Sequence, residues 1–385
     1  MDKAYCGHEG ITVMKRLIWP DYNNCTANLP NSILRYFGVT PVGNTLPLMD
    51  RYLKKDYRNI VLLLLDGMGK YILEHHLKED GAFRTHLAGN YQSVFLSTTV
   101  AATTSIRSGL QPCEHCWLGW DCYYPQIDQN VTVFFNQLQG TTEPAADYNV
   151  PQTFTPYESI LDKLNRTGTE AYMLTPYDEP VPGTIEEFCR RIKVLCENPG
   201  RKYIFAYWDE PDGLLHSTGC TSGPVHEALL NMEKTVQMLA GELKDTLLII
   251  TADHGHIDTD HIIWRDYPEL ADCLIRPPSL EPRVLNLFVK KETKVFFEKE
   301  FNRLFGDCYL LLPMEEVIER KLFGTESPRD LFRSMLGDYL AIATGNRTIY
   351  FKNEPPDKWW KSMHGSVTED EVLIPLILFE CGKQG

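Results

Sequence analysis

The sequence predicts an α/β fold in which a mostly parallel central sheet carries helices on both faces. Three observations support this prediction. Apolar runs such as "NIVLLLLDG" (59–67) and the start of "TLLIITADHGHID" (246–258) have the composition of strands buried on both faces. Such runs alternate with segments of helical spacing, which is typical of parallel sheets. Acidic and histidine residues follow the runs, at the edge where open α/β sheets bind ligands.

The first 265 residues contain most of the predicted elements. Apolar or β-branched runs predict strands at 59–67, 91–97, 131–135, 170–176, 202–212 and 247–250. Helical spacing predicts helices at 157–168, 184–198 and 223–244. Thr184 and Glu187 form a capping-box pattern at the start of the second of these helices.

The pattern changes after about residue 265. Residues 266–335 alternate strand and helix patterns over short distances, which predicts a small inserted α+β subdomain. Residues 1–265 and 336–385 then form the core. Within the second part, 337–352 has the pattern of a hairpin that turns at Thr344–Asn346, and 371–380 has that of a last core strand.

Composition and charge restrict the partners. The chain has 385 residues and a net charge of −14, which argues against a nucleic-acid scaffold or an anionic membrane surface as partner. The first twenty residues have no long apolar core, and eleven cysteines are scattered along the chain. Both features predict a cytoplasmic protein with reduced thiols. The sequence does not indicate an oligomeric state.

Carboxylates and imidazoles come at four predicted strand ends. Each of these residues alone has an ordinary explanation, such as a turn or helix cap. Their coincidence at several strand ends is unusual, because these are the ligands that zinc and similar ions take without thiolates. The residues are Asp66, Asp212, His216, Asp253, His254 and His364.

A candidate nucleophile lies in "FLSTTVAATTSIRSGLQPCEHC" (95–116), where a predicted strand leads into a helical stretch. A hydroxyl at a helix N-terminus faces free backbone N–H groups, which favour a phosphoryl group there. Ser97, Thr98 and Thr99 are the candidates, and the local sequence alone favours a simple helix cap.

Five motifs, in this order, resemble the alkaline phosphatase superfamily, and within it the type I phosphodiesterase/nucleotide pyrophosphatase family. The resemblance spans residues 59–380. The motifs are "LLDGMG", "STT…TTSIRSGLQPCEH", "EPDGLLHSTG", "TADHG" and the "HGS" that precedes the last strand. Counting back from Ser108–Leu110 in the second motif assigns the nucleophile to Thr99.

The resemblance implies a cofactor of two divalent metal ions, zinc with manganese as the alternative. One ion would be held by Asp212, His216 and His364. The other would be held by Asp66, Asp253, His254 and the Thr99 hydroxyl. The implied activity is hydrolysis of a phosphodiester or pyrophosphate bond through a phosphothreonine, in a small phosphate ester such as a nucleotide. His256 is outside this ligand set, and we expect an ordinary loop histidine.

Two positions depart from the expected pattern. Ala102 stands where we expect an Asn three residues after the nucleophile, and Cys116 replaces a Gly. The first departure leaves the preference for diesters over monoesters open. A phosphomonoesterase, phosphomutase or phosphonate hydrolase of the same superfamily, or a non-catalytic binding protein, are the alternatives. No Cys-x-Pro-x-Arg is present, which argues against a sulfatase.

Overall fold

The computed structural model describes residues 15–351 and 359–382. Its strands within these ranges are β1 Asn59–Leu65, β2 Leu87–Gln92, β3 Asp121–Tyr124, β4 Gln129–Thr132, β5 Gln137–Leu138, β6 Glu170–Leu174, β7 Lys202–Trp208, β8 Thr246–Thr251, β9 Ile257–Asp258, β10 Asp260–Ile263, β11 Ser279–Glu281, β12 Val284–Leu287, β13 Tyr309–Pro313, β14 Tyr339–Ala343, β15 Arg347–Tyr350, β16 Ser362–Met363 and β17 Leu373–Cys381.

The α-helices in the same ranges vary from one turn to twenty residues. They are α1 Asn28–Tyr36, α2 Pro47–Asp50, α3 Lys70–His76, α4 Ala82–Thr85, α5 Thr99–Ser108, α6 Pro112–His115, α7 Val150–Phe154, α8 Ile160–Arg166, α9 Ile185–Glu197, α10 Asp212–Thr218, α11 Gly223–Glu242, α12 Pro268–Ala271, α13 Lys294–Phe305, α14 Met314–Glu319 and α15 Glu369–Val372. None of these helices combines the length and the apolar composition needed to cross a bilayer.

The central sheet has the strand order β2-β17-β8-β1-β7-β6. Strands β8, β1, β7 and β6 run parallel, whereas β17 and β2 form an antiparallel edge. Every residue of β1 and β8 is buried, because both strands are covered on both faces. The long helices α9 and α11 are the crossovers that lead into β7 and β8. The predicted fold class is therefore confirmed.

Two predicted strands end earlier than expected. Strand β2 ends at Gln92, so the predicted strand over 91–97 is mostly wrong. The chain leaves the sheet after Ser93, whose N–H still binds the Val372 carbonyl, and continues towards α5. Strand β4 ends at Thr132, and Phe134 and Phe135 lie in the following turn with exposed rings.

A second, seven-stranded sheet has the order β13-β14-β12-β11-β3-β4-β5. Residues 266–335 supply β11, β12 and β13, while 121–138 and 339–343 supply the other strands. The predicted insertion therefore shares its sheet with chain segments on either side of it. The division into a core and a 266–335 subdomain stays a prediction.

The predicted hairpin over 337–352 is wrong. Strand β14 lies between β12 and β13, and both of its edges are occupied. Strand β15 therefore has no free edge of β14 to pair with, and it pairs in parallel with β10 instead. The Arg283 guanidinium donates to the Gly345 and Arg347 carbonyls and so holds the turn between β14 and β15.

A buried ion pair connects the second sheet to the segment after His364. Arg283 Nε and Nη2 donate to the Glu371 carboxylate at 2.6 and 2.8 Å, and both side chains are fully buried. Glu371 also accepts bonds from Ser366 N–H and the Thr368 hydroxyl. Its own carbonyl accepts the Gly255 N–H, one residue after His254. The pair therefore fixes two of the chain segments that carry candidate ligands.

We expect Glu371→Ala to lower the free energy of unfolding by about 3–5 kcal/mol, because it leaves the Arg283 charge buried without its carboxylate. Denaturant unfolding followed by circular dichroism would measure the change. Glu315→Ala is the matched control, since Glu315 pairs with Arg333 at the surface, where such pairs contribute about 0–1 kcal/mol. Equal losses in the two variants would contradict this account of the buried pair.

Candidate metal centre

The carboxyl ends of three neighbouring parallel strands bring the candidate ligands together. Asp66 follows β1, and Asp253 and His254 follow β8. Asp212 begins α10 shortly after β7, and His216 lies one helical turn further on. His364 follows the short strand β16. Five of these six side chains are buried and Asp212 is nearly so, which makes this edge of the sheet a concentrated set of metal-ligating groups.

One group of ligand atoms surrounds Asp212. Its Oδ1 lies 3.4 Å from His216 Nε2 and 3.7 Å from His364 Nε2. The ligand atoms of Asp212, His216, His256 and His364 all lie within 4.8 Å of one another. An oxygen and several imidazole nitrogens at such distances are a donor set that suits zinc.

A second group lies beside the first and shares Asp212 with it. The ligand atoms of Asp66, Asp212 and His254 also lie within 4.8 Å of one another. Asp66 Oδ1 is 3.3 Å from His254 Nε2, and Asp253 Oδ2 is 3.6 Å from the same nitrogen. The six residues predicted from the sequence therefore lie in one contiguous cluster.

Backbone carbonyls orient the three imidazoles. The Nδ1 atoms of His216, His364 and His254 lie 2.8, 3.2 and 3.1 Å from the carbonyls of Ser362, Ser97 and Gly255. Since a carbonyl can only accept, Nδ1 carries the proton and donates it. The unprotonated Nε2 of each ring then faces the cluster, which is the arrangement that metal-binding histidines adopt.

The carboxylates fit bound cations, because two of their oxygens are buried without a hydrogen-bond partner in the described residues. These atoms are Asp66 Oδ1 and Asp253 Oδ2. Burial, then repulsion from Asp253 and Asp212, raises the pKa of Asp66 well above its usual range. Burial also raises the pKa of Asp253. Buried anionic oxygens without donors cost free energy unless a cation is present, so the donor set fits divalent ions.

The hydroxyls of Ser97, Thr98 and Thr99 point to three different partners. Ser97 donates to the Ser366 carbonyl at 2.6 Å, and Thr98 donates to the Glu281 carboxylate at 2.6 Å. Thr99 Oγ1 instead lies 3.1 Å from His254 Nε2. Thr99 is also the first residue of α5, where backbone N–H groups are free. Of the three, Thr99 is the hydroxyl that faces the cluster.

Close backbone packing requires a glycine at position 255. A Cβ on Gly255 would lie 2.1 Å from the Asp370 carbonyl oxygen, a distance that no side chain tolerates. The "DHG" sequence thus lets the loop after β8 pack against the segment before β17. This contact keeps Asp253 and His254 at the sheet edge.

His256 is not an ordinary loop histidine, and that prediction is wrong. The ring is fully buried, with Nε2 2.7 Å from Asp212 Oδ1 and Nδ1 3.0 Å from the Ser362 hydroxyl. Burial lowers the pKa of His256 to about 3, so the ring is neutral and has one N–H to donate. No local pattern predicts this contact, because the position of His256 beside Asp212 depends on how two distant loops meet.

Ala102 does not face the cluster. It packs in a small buried group with residues such as Tyr22 and Val94. Thr103, one residue further on, lines the cavity next to Thr99. Ala102 therefore supplies no polar group to the site, and the preference between diesters and monoesters stays open.

Tyr207 is a site residue that the sequence analysis missed. Its hydroxyl donates to Asp66 Oδ2, which leaves Oδ1 of the same carboxylate for the cluster. Tyr207 is the next-to-last residue of β7 and follows five buried residues, so its sequence pattern is that of a core aromatic. Its pairing with Leu64 across the sheet, which places it beside Asp66, is visible only in the structure.

A cavity of 640 Å³ opens beside the cluster. Asp66, Thr99 and Asp212 contribute to its wall, and so do the aromatic side chains of Trp120 and Tyr177. Tyr177 is 66% exposed, so this part of the cavity wall is in contact with solvent. The cavity therefore gives a small molecule access to the Thr99 hydroxyl.

Several solved structures share the fold. Murine ectonucleotide pyrophosphatase/phosphodiesterase 5 matches with a TM-score of 0.61 at 17% identity, over 82% of this chain and 87% of the murine chain. Its inactive form in complex with AMP matches with a TM-score of 0.62 at 16% identity, over 84% and 87%. Phosphonoacetate hydrolase from Sinorhizobium meliloti 1021, in complex with phosphonoformate, matches with a TM-score of 0.58 at 16% identity, over 84% and 90%.

Sequence comparison gives a family. No curated protein sequence matches the chain. The sequence model of type I phosphodiesterase/nucleotide pyrophosphatase matches residues 60–366, which include all six candidate ligands and Thr99. This match covers most of the chain, and the chain therefore belongs to the type I phosphodiesterase/nucleotide pyrophosphatase family of the alkaline phosphatase superfamily.

Proposed function

We propose that this chain is a two-metal phosphoric ester hydrolase that cleaves a phosphodiester or pyrophosphate bond through a phosphothreonine at Thr99. The observation that carries the proposal is the position of the Thr99 hydroxyl, 3.1 Å from His254 Nε2 and in the wall of an open cavity. The hydroxyls of Ser97 and Thr98, the other two candidates, are bonded elsewhere.

Asp212, His216 and His364 would hold one divalent ion, and Asp66, Asp253 and His254 would hold the other beside Thr99. Zinc suits these nitrogen and oxygen donors, with manganese as the alternative. The pair of ions would supply positive charge to the attacking and leaving oxygens of an in-line displacement. It would also offset the −14 net charge of the chain at the place where an anionic substrate enters.

Thr99 Oγ1 would attack phosphorus and lose its proton, while the bond between phosphorus and the leaving oxygen breaks and the leaving oxygen takes up a proton. The first N–H groups of α5 would donate to the phosphoryl oxygens, since they have no acceptor within the helix. Water would then attack phosphorus, release the phosphate monoester from Thr99 and give one of its protons to the Thr99 oxygen. The overall reaction is hydrolysis, with no change in the enzyme.

The proposal also names a substrate class, a small phosphate ester with a nucleotide as one candidate. The murine relative binds AMP in its inactive form, and the bacterial relative binds phosphonoformate. These relatives are 16% identical to this chain. They support a cavity that binds a phosphoryl group, and they do not identify the ester that this chain cleaves.

Parallel assays test the proposal. We expect zinc-loaded protein to hydrolyse bis(p-nitrophenyl) phosphate faster than p-nitrophenyl phosphate, and to release no phosphate from phosphonoacetate. Acid quenching during turnover of bis(p-nitrophenyl) phosphate, followed by peptide mass spectrometry, should find a p-nitrophenyl phosphoryl group on Thr99. Faster monoester cleavage would favour a phosphomonoesterase, and phosphate release from phosphonoacetate a phosphonate hydrolase. No turnover of any of the three would contradict the proposed hydrolase.

A further inference from the structure

We propose that Arg107 binds a second anionic group of the substrate, so that the cavity selects esters whose organic part carries a further phosphate or carboxylate. The inference extends the proposed function. It rests on that function in one respect, because the proposed function places the scissile phosphorus at Thr99. The evidence comes from the position of Arg107, its lack of partners and the charges around it.

Arg107 lies on the same helix as the proposed nucleophile. Thr99, Thr103 and Arg107 follow each other at steps of four along α5, and all three line the 640 Å³ cavity. The eight residues from Thr99 to Arg107 correspond to about 12 Å along the helix axis. Because helical side chains lean towards the N-terminus, the guanidinium lies closer to Thr99 than this distance. One small molecule can therefore reach both side chains.

The guanidinium has no ion pair and no hydrogen bond with any residue in 15–351 or 359–382. Its Nε is buried without an acceptor, and its nearest aromatic neighbour is the Tyr157 ring, 5.9 Å from Cζ. An aromatic face attracts a cation but accepts none of its in-plane N–H bonds. A partly buried guanidinium with free donors costs free energy, and an anionic ligand would supply the missing acceptors.

The carboxylates that share the cavity do not neutralise Arg107. Asp209 accepts a bond from the Tyr177 hydroxyl at 2.9 Å, and Glu210 accepts one from the Leu214 N–H at 3.1 Å. Neither carboxylate forms an ion pair with Arg107. Burial raises the pKa of Glu210, which weakens its negative charge further. The positive charge of Arg107 thus remains available in the cavity.

Among the described residues that line this cavity, Arg107 is the only lysine or arginine. A guanidinium binds phosphate and carboxylate through two parallel hydrogen bonds, and this geometry recognises charge and shape together. The scissile phosphoryl group would lie at Thr99, at the far end of α5. Arg107 would therefore select the part of the substrate that is distant from the scissile bond.

Inert phosphonates test the inference without requiring turnover. The zinc-loaded protein would be titrated calorimetrically with α,ω-alkane bisphosphonates of two to five methylenes and with the alkyl monophosphonates of equal length. A charged hydrogen-bonded contact predicts that one bisphosphonate binds about 10- to 100-fold more tightly than its monophosphonate. Arg107→Gln should reduce this ratio to near one, and Arg107→Lys should keep part of it, provided that both variants retain the native melting temperature.

Arg190→Gln is the matched control, since it removes the same charge from an exposed position on α9 outside the cavity. We expect it to keep the ratio. A ratio near one in the unmodified protein, or an unchanged ratio in Arg107→Gln, would overturn the inference. A protein that hydrolyses no phosphate ester but shows an Arg107-dependent ratio would contradict the proposed function and leave the inference standing.

Discussion

Replacing Thr99 with alanine is expected to reduce turnover of a phosphodiester by at least about 1,000-fold, the scale on which loss of a nucleophile acts in other hydrolases. The reason is geometric, because neither of the other two candidate hydroxyls faces the cluster. Ser97 donates to Ser366, and Thr98 donates to Glu281. Steady-state kinetics with bis(p-nitrophenyl) phosphate would measure the loss.

The metal content of the variant distinguishes a chemical role of Thr99 from a structural one. The six carboxylate and imidazole side chains remain in Thr99→Ala, so metal analysis should still find close to two ions per chain. Thr99→Ser keeps the oxygen and should retain part of the turnover. Thr98→Ala is the matched control, with an expected loss of less than about ten-fold, since it removes one bond to Glu281 and no atom of the site. Near-native turnover in Thr99→Ala would require another nucleophile.

The central sheet could be predicted from the sequence because its strands have a strong local signal. Strands β1 and β8 are buried on both faces, so nearly every residue in them is apolar. The residues that follow these strands share one edge by the rules of parallel sheets, whatever the details of the loops. The cluster of Asp66, Asp212 and Asp253 could therefore be predicted before any distance was known.

The second sheet could not be predicted in the same way. Its strands are two to five residues long and come from three separate parts of the chain. Short strands have little periodicity, and pairing between distant segments has no local signal. The hairpin prediction failed for this reason, since the turn chemistry at Gly345 and Asn346 is correct while the partner strands are elsewhere.

The contacts of single polar residues are equally hard to predict from the sequence. The identity of His256 is visible in the sequence, but its contact with Asp212 depends on how the loops after β7 and β8 meet. Arg107 has the pattern of an ordinary basic residue in the last turn of a helix. Its proposed role follows from the lack of acceptors for its guanidinium among the residues that the structure describes, which no local pattern predicts.

Asp253→Asn is expected to lower the metal content from two ions per chain to about one, while making the metal-free protein more stable. The amide keeps an oxygen that accepts from the Gly67 and His254 N–H groups, so the loop can retain its shape. It removes a charge from Asp253 Oδ2, which is buried without a hydrogen-bond partner in 15–351 and 359–382. It also removes a charge that raises the pKa of Asp66. Metal analysis and thermal unfolding of the metal-free protein would measure both effects.

The pH dependence distinguishes this charge effect from a general change in packing. In the metal-free protein, folding raises the pKa of Asp66 and of Asp253. As the pH rises above about 4, the unfolded chain loses these protons before the folded chain does, so stability falls until the folded-state pKa is passed. Asp253→Asn should reduce this fall, and its stabilisation of about 1 kcal/mol or more should be larger at pH 8 than at pH 5. Asp80→Asn, the same change at an exposed position, should shift neither metal content nor stability. Two ions in Asp253→Asn, or a stabilisation that does not grow with pH, would show that Asp253 is not a charged ligand of the second ion.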